Sequence, residues 1–203
     1  MAIITNYATL QTAIGDYLAR SDLATFLPNF TQSWEEKFYR DPQNWGSWME
    51  AALSVAIASG VAPVPADYLG LKIVYLSGNP PMKRISLDQL YSRYARGGSV
   101  GIPIYVSRNA GNFEFGPVAT TGTLLGTYYA KPVVLRTSLT NWLTVNAPDL
   151  LLYGSLLQAE SPFLKNDKRI GVWQGFYDDA LTTYRAQFKE EDYSGSPPAA
   201  VVV

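Results

Sequence analysis

The fold of this chain is decided by one stretch, Asn141-Trp142-Leu143-Thr144-Val145-Asn146-Ala147-Pro148-Asp149-Leu150-Leu151-Leu152-Tyr153-Gly154. From there to Phe188 the sequence predicts two strongly apolar helices joined by a short polar turn. The stretch contains no set of side chains suited to covalent catalysis. It therefore indicates a protein whose work is packing and assembly.

The first of these two helices is apolar on almost every side. Asn146 is predicted to cap it, and Pro148 and Asp149 fall in its first turn. Apolar side chains that point in all directions predict a helix buried on every side. These side chains are Leu150, Leu151, Leu152, Tyr153, Leu156 and Leu157.

The second helix begins at Asn166 or Asp167 and has a single apolar stripe. The stripe consists of Ile170, Trp173, Tyr177, Leu181, Tyr184 and Phe188. We expect five residues of the two helices to form the helical core and its contacts with other subunits: Leu150, Tyr153, Leu157, Trp173 and Tyr177.

Two further amphipathic helices are predicted near the start of the chain. Thr5 or Asn6 caps the first, which ends near Arg20. Pro28 opens the second, and Asp41-Pro42 ends it. The apolar stripes are Leu10, Ala13, Ile14, Tyr17 and Leu18 in the first helix, and Phe30, Trp34 and Phe38 in the second.

Between residues 45 and 131 the apolar period shortens from 3.6 towards 2, which predicts strands. A turn at 77–81 is expected to join the strand at 71–76 to a return strand at 82–85, and Ser86 to cap a short helix. The predicted strands are 53–58, 71–76, 82–85, 104–107, 112–115 and 123–130. They predict one antiparallel sheet or a small sandwich inserted between helices.

The predicted fold class is therefore α+β. The N- and C-terminal helices form a helical bundle, with an inserted antiparallel β-rich region and an extended C-terminal tail. We expect residues 1–44 and 132–191 to form the helical ring-body domain and residues 45–131 the β-rich region. Residues 192–203, rich in Ser, Gly and Pro, are expected to be a flexible tail.

Composition excludes several classes of function. The 203 residues contain no Cys and no His, which removes disulfides, thiolate metal sites and a Ser-His-Asp triad. The net charge of −1 gives no basic surplus for binding nucleic acid. No signal peptide or membrane span is visible in the sequence. We expect no enzymatic activity, no cofactor, no metal site and no membrane partner.

The surface chemistry favours a subunit of an assembly. Charged residues make up 16% of the chain, below the roughly 25% of ordinary soluble domains, and aromatic residues make up 13%. Such a chain often covers part of its surface with another subunit. The alternative is a monomer with a large core.

A few residue groups leave rival interpretations open. Trp45 and Trp48 are suited to stacking on a sugar, to anchoring an interface or to packing the junction between helix and sheet. Glu35, next to Glu36, would be the acid of a peptidoglycan hydrolase, although adjacent helical carboxylates diverge by about 100°. A carbohydrate-binding or peptidoglycan-degrading tail component is therefore the alternative function.

Several short motifs follow one another in a fixed order. They are Tyr7-Ala8-Thr9-Leu10-Gln11, Pro28-Asn29-Phe30, Val64-Pro65-Ala66-Asp67-Tyr68-Leu69, Pro103-Ile104-Tyr105, Tyr128-Tyr129-Ala130-Lys131-Pro132, and the segments 141–143, 146–154, 159–165 and 173–177. In this order, over residues 5 to 188, the chain resembles the head-to-tail adaptor (connector) family of short-tailed bacteriophages.

The resemblance implies a structural virion protein in the neck of the particle, assembled in the host cytoplasm. Family members form a ring of about twelve copies, docked on the portal protein. The ring joins the portal to the tail nozzle or tail tube, and viral DNA passes through its channel without specific binding. The tail residues expected to dock on the portal are Tyr193, Pro197, Pro198, Val201, Val202 and Val203.

Overall fold

The computed structural model describes residues 3–95, 98–160, 164 and 167–193. In this part of the chain the fold is mixed α+β, with seven α-helices and a seven-stranded sheet, so the predicted fold class is confirmed. The chain divides into two compact units. The helical unit comprises residues 1–48 and 132–203, and the sheet unit comprises Met49–Lys131.

The elements are, in chain order, α1 (Tyr7–Leu18), α2 (Leu27–Arg40), β1 (Glu50–Ala58), β2 (Val61–Pro63), β3 (Tyr68–Leu76), β4 (Lys83–Arg84), α3 (Leu87–Arg93), β5 (Tyr105–Asn109), β6 (Asn112–Gly116), β7 (Thr121–Ala130), α4 (Leu135–Ser138), α5 (Trp142–Asn146), α6 (Pro148–Ala159) and α7 (Asp167–Tyr193). Short 3-10 turns follow α1 and α2.

Helix α1 begins where its sequence predicts. The Asn6 side chain accepts the backbone N–H of Thr9 at 3.0 Å, and the Thr9 hydroxyl oxygen accepts the N–H of Asn6 at 3.0 Å. This capping box satisfies two N–H groups that the first turn leaves without partners. Ala19, with φ of 53°, ends the helix in the left-handed region. The predicted stripe is buried except for Tyr17, which is half-buried.

Helix α2 carries Pro28 in its first turn and buries Phe30, Trp34 and Phe38, as predicted. Asp41 follows its last residue and accepts the N–H of Gln43 at 3.0 Å, which starts the next turn. The helix packs against α6 and α1. These contacts bring the two ends of the chain together in one core.

The predicted cap of α6 is wrong. Asn146 is the last residue of α5, and Ala147 takes the N-cap position of α6 without a side-chain hydrogen bond. The capping asparagine of this region is Asn141, which accepts the N–H of Thr144 at 3.0 Å and so starts α5. Asn141 can act in this way because Thr144 completes a capping box three residues later.

Helix α6 is enclosed by the helices of its own unit. It packs against α1, α2, α5 and α7. Leu150, Leu151, Leu152 and Leu156 are at most 1% exposed. The same chain therefore covers most of the apolar circumference of α6, and only Tyr153 and Leu157 of the predicted apolar residues stay half-buried.

Helix α7 follows the predicted stripe. Tyr184 and Phe188 are buried, and the stripe residues before them are half-buried. The helix extends to Tyr193 and so includes two residues that the sequence assigns to the tail. Its N-terminal half leaves its other side in solvent.

The sheet has the strand order β3-β7-β1-β2-β6-β5-β4 and is antiparallel except between β4 and β5. Ser59 and Gly60, both with positive φ, form the two-residue turn between β1 and β2. The Met82 N–H donates to the carbonyl of Val74 at 2.8 Å, so the segment after β3 runs back along it and the sheet curls around its core.

The predicted hairpin of residues 71–76 and 82–85 is wrong in its pairing. The strand next to β3 is β7, and β4 pairs with β5 in parallel. Only an isolated bridge joins Tyr75 to Pro81 in the described residues. The core of the sheet unit consists of Leu53, Ile57, Ala62, Leu71, Val74, Met82, Val106, Phe113, Phe115, Ala119, Leu124 and Tyr128.

Candidate assembly surfaces

An aromatic cluster joins the two chain segments of the helical unit. Trp48 stacks on Trp142, with ring centres 5.6 Å apart and planes 10° apart. Trp142 contacts Phe188 at 5.3 Å, and Tyr184 contacts Phe38 at 5.3 Å. Aromatic contacts of this kind contribute about 0.5–1.5 kcal/mol beyond area burial. The cluster therefore fixes α7 against the N-terminal segment.

The two tryptophans with rival interpretations both have partners within the helical unit. The Trp45 indole N–H donates to the carbonyl of Tyr39 at 2.9 Å, and the Trp48 indole N–H donates to the hydroxyl of Tyr184 at 2.9 Å. Both side chains are half-buried. Both indole N–H groups therefore make hydrogen bonds within the helical unit. These contacts favour the interpretation of Trp45 and Trp48 as packing residues.

Glu35 is 1% exposed and acts as a structural carboxylate. Its oxygens accept the backbone N–H of Leu135 at 3.0 and 3.2 Å, and one accepts the hydroxyl of Tyr39 at 3.1 Å. Leu135 is the first residue of α4, so the carboxylate caps that helix from a distant part of the chain. A hydrolase acid must reach solvent and substrate, and Glu35 reaches neither.

Burial raises the pKa of several tyrosines in this unit, among them Tyr39, Tyr184 and Tyr177. For Tyr39 the largest cause is burial, followed by the nearby Glu35 carboxylate. Burial is also the largest cause for Tyr184, whose hydroxyl donates to the carbonyl of Asn44 at 2.6 Å, and for Tyr177. A raised pKa keeps each phenol neutral, and each hydroxyl group makes a hydrogen bond within the helical unit.

The five residues expected in the helical core and its contacts lie in two environments. Leu150 is fully buried and belongs to the core. Tyr153, Leu157, Trp173 and Tyr177 are half-buried, on α6 and α7. Tyr153 stacks on Trp173, and the Tyr177 hydroxyl accepts the indole N–H of Trp34 at 3.3 Å. These four residues are partly covered by the unit and partly exposed to solvent.

Two apolar surfaces were missed by the sequence reasoning. On α7, Val172 and Phe176 are 52% and 50% exposed, one turn apart and off the buried stripe. In the sheet unit, Val100, Ile102 and Ile104 are 67%, 62% and 51% exposed at alternate positions. The signal for the second surface was the β-branched residue at every second position from 100 to 104. Neighbouring exposed apolar groups are candidates for contact with another molecule.

Among the residues that the structure describes, no group of three acidic side chains lies close enough together to hold a metal ion. The helices of this described part also lack an apolar stretch long enough to cross a membrane. Of the tail residues expected to dock on the portal, Tyr193 ends α7, and Pro197, Pro198, Val201, Val202 and Val203 lie outside the described residues.

A family model described as SU10 adaptor protein matches residues 5–201, and the chain belongs to the SU10 adaptor protein family. This is a family of phage head-to-tail adaptors, with a structural rather than a catalytic role, so the resemblance seen in the motifs is confirmed. No curated protein matches the chain.

Proposed function

We propose that the chain is the subunit of a ring of about twelve copies in the neck of a phage particle. The ring docks on the portal, connects it to the tail nozzle or tail tube and forms part of the channel for DNA ejection. It is assembled in the host cytoplasm. The observation that carries this proposal is the family match over residues 5–201, which includes both compact units.

In this proposal the helical unit forms the body of the ring. The half-buried residues Tyr153, Leu157, Trp173 and Tyr177 leave apolar surface on α6 and α7. Their rings and side chains are held by contacts within the unit, so little conformational entropy is lost when a neighbour covers them. This arrangement supports a role in the contacts between subunits.

The sheet unit contacts the next component of the tail. Its exposed residues Val100, Ile102 and Ile104 lie in a segment whose backbone is held by Val118 and Gly116: the Gly101 N–H donates to Val118, and the Ile104 N–H to Gly116, both at 3.0 Å. An exposed apolar segment whose backbone is fixed by hydrogen bonds is suited to contact with another protein. The loops at Gly78 and Gly111, and the loop at Gly97 outside the described residues, are proposed to face the tail as well.

A channel for DNA should not hold the phosphate backbone, because a strong grip would slow ejection. The chain has 16 basic and 17 acidic residues. Binding to nucleic acid at physiological salt requires several unopposed Lys or Arg contacts. The charge balance is consistent with passage of DNA without specific binding.

The proposal is tested by mixing the purified protein with purified portal rings and imaging the mixture by negative-stain electron microscopy. We expect an added layer with rotational symmetry on one face of the portal ring. The protein imaged alone is the reference. Portal rings that keep their original outline at a large excess of the protein would overturn the proposed function.

A truncation separates docking of the tail from formation of the ring. Because α7 extends to Tyr193, the chain should be cut after Tyr193, which leaves the helix whole. We expect the truncated protein to lose most of its affinity for portal rings, measured by sedimentation. Replacing only Val201, Val202 and Val203 with serine tests the apolar end, with Ala199 and Ala200 to serine as the matched control. Unchanged portal binding after truncation would contradict docking by the tail.

A further inference from the structure

The outer face of α7 carries six exposed residues that recur at spacings of three and four. They are Lys168, Gly171, Val172, Gly175, Phe176 and Asp179. Residues at these spacings lie on one side of a helix. The side is opposite the buried stripe that includes Tyr184, so the face points away from the core of the helical unit.

The middle of this outer face is apolar and firmly supported. Val172 and Phe176 are about half exposed. The Phe176 ring stacks on Tyr153 with ring centres 5.1 Å apart and also contacts Trp173. The Tyr17 ring of α1 also contacts the Trp173 ring, with ring centres 5.7 Å apart. Phe176 is therefore an exposed apolar side chain whose position is fixed by its contacts with Tyr153 and Trp173.

The two glycines of the face leave open space beside Val172 and Phe176. A Cβ atom built on Gly171 or Gly175 meets no described atom within 4 Å. Glycine inside a helix is less favourable than alanine. The described part of the chain gives no packing reason for this cost at either position. A second molecule that packs closely against the helix backbone would explain why glycine is present at these positions.

The six residues are arranged symmetrically about the midpoint between Trp173 and Gln174. In an antiparallel pair of α7 helices centred on that point, Phe176 of one copy faces Gly171 of the other. Val172 faces Gly175, and Lys168 faces Asp179. Each apolar side chain therefore faces a glycine of the other copy, and each charged side chain faces one of opposite sign. The face is therefore complementary to itself in shape and in charge.

We propose that a second copy of this chain binds the outer face of α7 in antiparallel orientation and forms a two-fold dimer of the free subunit. A two-fold contact uses the same surface on both partners and closes at two copies. A ring with only rotational symmetry about its axis cannot repeat such a contact. The dimer is thus a state of the free protein, and the inference does not rest on the proposed ring.

The size of the face sets the strength expected. Two helix faces of about three turns bury less surface than the roughly 1,200 Å² at which stable interfaces begin. Association should therefore be weak and reversible. We expect the dimer to form over the range of about 10 µM to 1 mM, where binding free energies are about −7 to −4 kcal/mol.

Sedimentation equilibrium of the full chain, from about 5 to 500 µM, tests the dimer. Lys168→Glu alone and Asp179→Lys alone each place like charges opposite one another twice, and each should weaken association by about 3- to 10-fold. The double variant Lys168→Glu/Asp179→Lys restores both opposite-charge pairs and should restore association. A monomer at every concentration, or a double variant as weak as the singles, would overturn the inference.

A second pair of variants tests the close approach. Gly175→Leu fills the space that Val172 of the second copy needs, and it should abolish association. The fold should persist, because the position is open within the described chain. Gln174→Leu adds the same side chain on α7 but off the outer face, and it should leave association unchanged. Equal association in both variants would contradict the antiparallel arrangement.

Discussion

At the scale of single residues, Glu35 joins two parts of the chain that lie far apart in the sequence. Its carboxylate joins α2 to the start of α4 and supports the hydroxyl of Tyr39, which in turn accepts the Asn141 amide at 3.4 Å. A buried carboxylate with several donors is costly to disturb, because any donor left without a partner remains out of water.

We expect Glu35→Gln to lower the free energy of unfolding by about 1–3 kcal/mol, since the amide places an N–H₂ group where an acceptor is required. Urea unfolding followed by circular dichroism measures this change. Glu36→Gln is the matched control, because Glu36 is exposed on the same helix, and it should change stability by less than about 0.5 kcal/mol. Equal effects of the two variants would contradict the structural role of Glu35.

The buried phenols predict a loss of stability at high pH. In the unfolded chain, tyrosines ionise at about pH 10. In the folded protein, the raised pKa values of Tyr39 and Tyr184 keep both side chains neutral at that pH. Their contribution to stability is therefore complete below pH 10 and is lost as the pH rises above it. The free energy of unfolding should fall by about 1.4 kcal/mol per pH unit for each such tyrosine.

Unfolding free energies measured at about pH 9 to 11 test this slope, with tyrosinate absorbance as the second signal. Tyr39→Phe and Tyr184→Phe should each make the decline with pH shallower, whatever they do to stability at neutral pH. A slope that neither substitution changes would show that these two phenols are not the groups responsible.

At the scale of elements, Gly154 allows α6 to lie close against α2. A Cβ atom at this position would overlap the indole of Trp34. We expect Gly154→Ala to lower the free energy of unfolding by about 1–3 kcal/mol, because the fitted contact must open. In dilute solution Gly175→Ala should instead raise it by about 0.5–1 kcal/mol, because that glycine is open and alanine favours the helix.

Thermal unfolding at low protein concentration compares these two variants directly. Opposite signs of the change in Tm are expected from the same substitution on two helices of one unit. If both substitutions stabilise the protein, the close contact between Gly154 and Trp34 is contradicted.

The long elements were predictable from the sequence because their signals are local. The stripes of α1, α2 and α7, and the caps at Asn6 and Ser86, follow from spacing and side-chain chemistry within a few residues. The pairing of β4 with β5 and the three-residue β2 were not predictable. The partner of β4 lies about 20 residues away, and β2 lies between the adjacent β1 and the distant β6. Short strands carry no period of their own.

The capping error has a similar cause. Asn146 and Asn141 are both good capping residues, and the choice between them depends on whether α5 forms as a separate turn. That turn is stabilised by burial of Leu143 and Thr144 in the helical unit. Sequence spacing alone does not report this tertiary contact.

At the scale of the whole molecule, the sequence could not separate core from interface. The apolar excess of α6 predicts burial, but covering by its own chain and covering by a neighbour give the same pattern. Only exposure in the folded chain distinguishes Leu150, which is buried, from Val172 and Phe176, which remain open. The class of function was predictable, because the balance of charge and the absence of Cys and His are properties of composition.

The two compact units predict different behaviour when they are separated. The sheet unit is one continuous segment, Met49–Lys131, with its own core, so a fragment of these residues should fold and unfold cooperatively. A fragment of residues 1–48 lacks α6 and α7 and should remain unfolded. Circular dichroism with urea titration measures both. An unstructured sheet fragment would contradict its independence.

The helical unit is built from the two ends of the chain, and this has a consequence during synthesis. Helices α1 and α2 leave the ribosome before the sheet unit, and their packing partner α6 follows only after the sheet unit has been made. The sheet unit can therefore fold while the chain is still attached to the ribosome. A chain released before α6 has been made carries a folded sheet and no helical bundle.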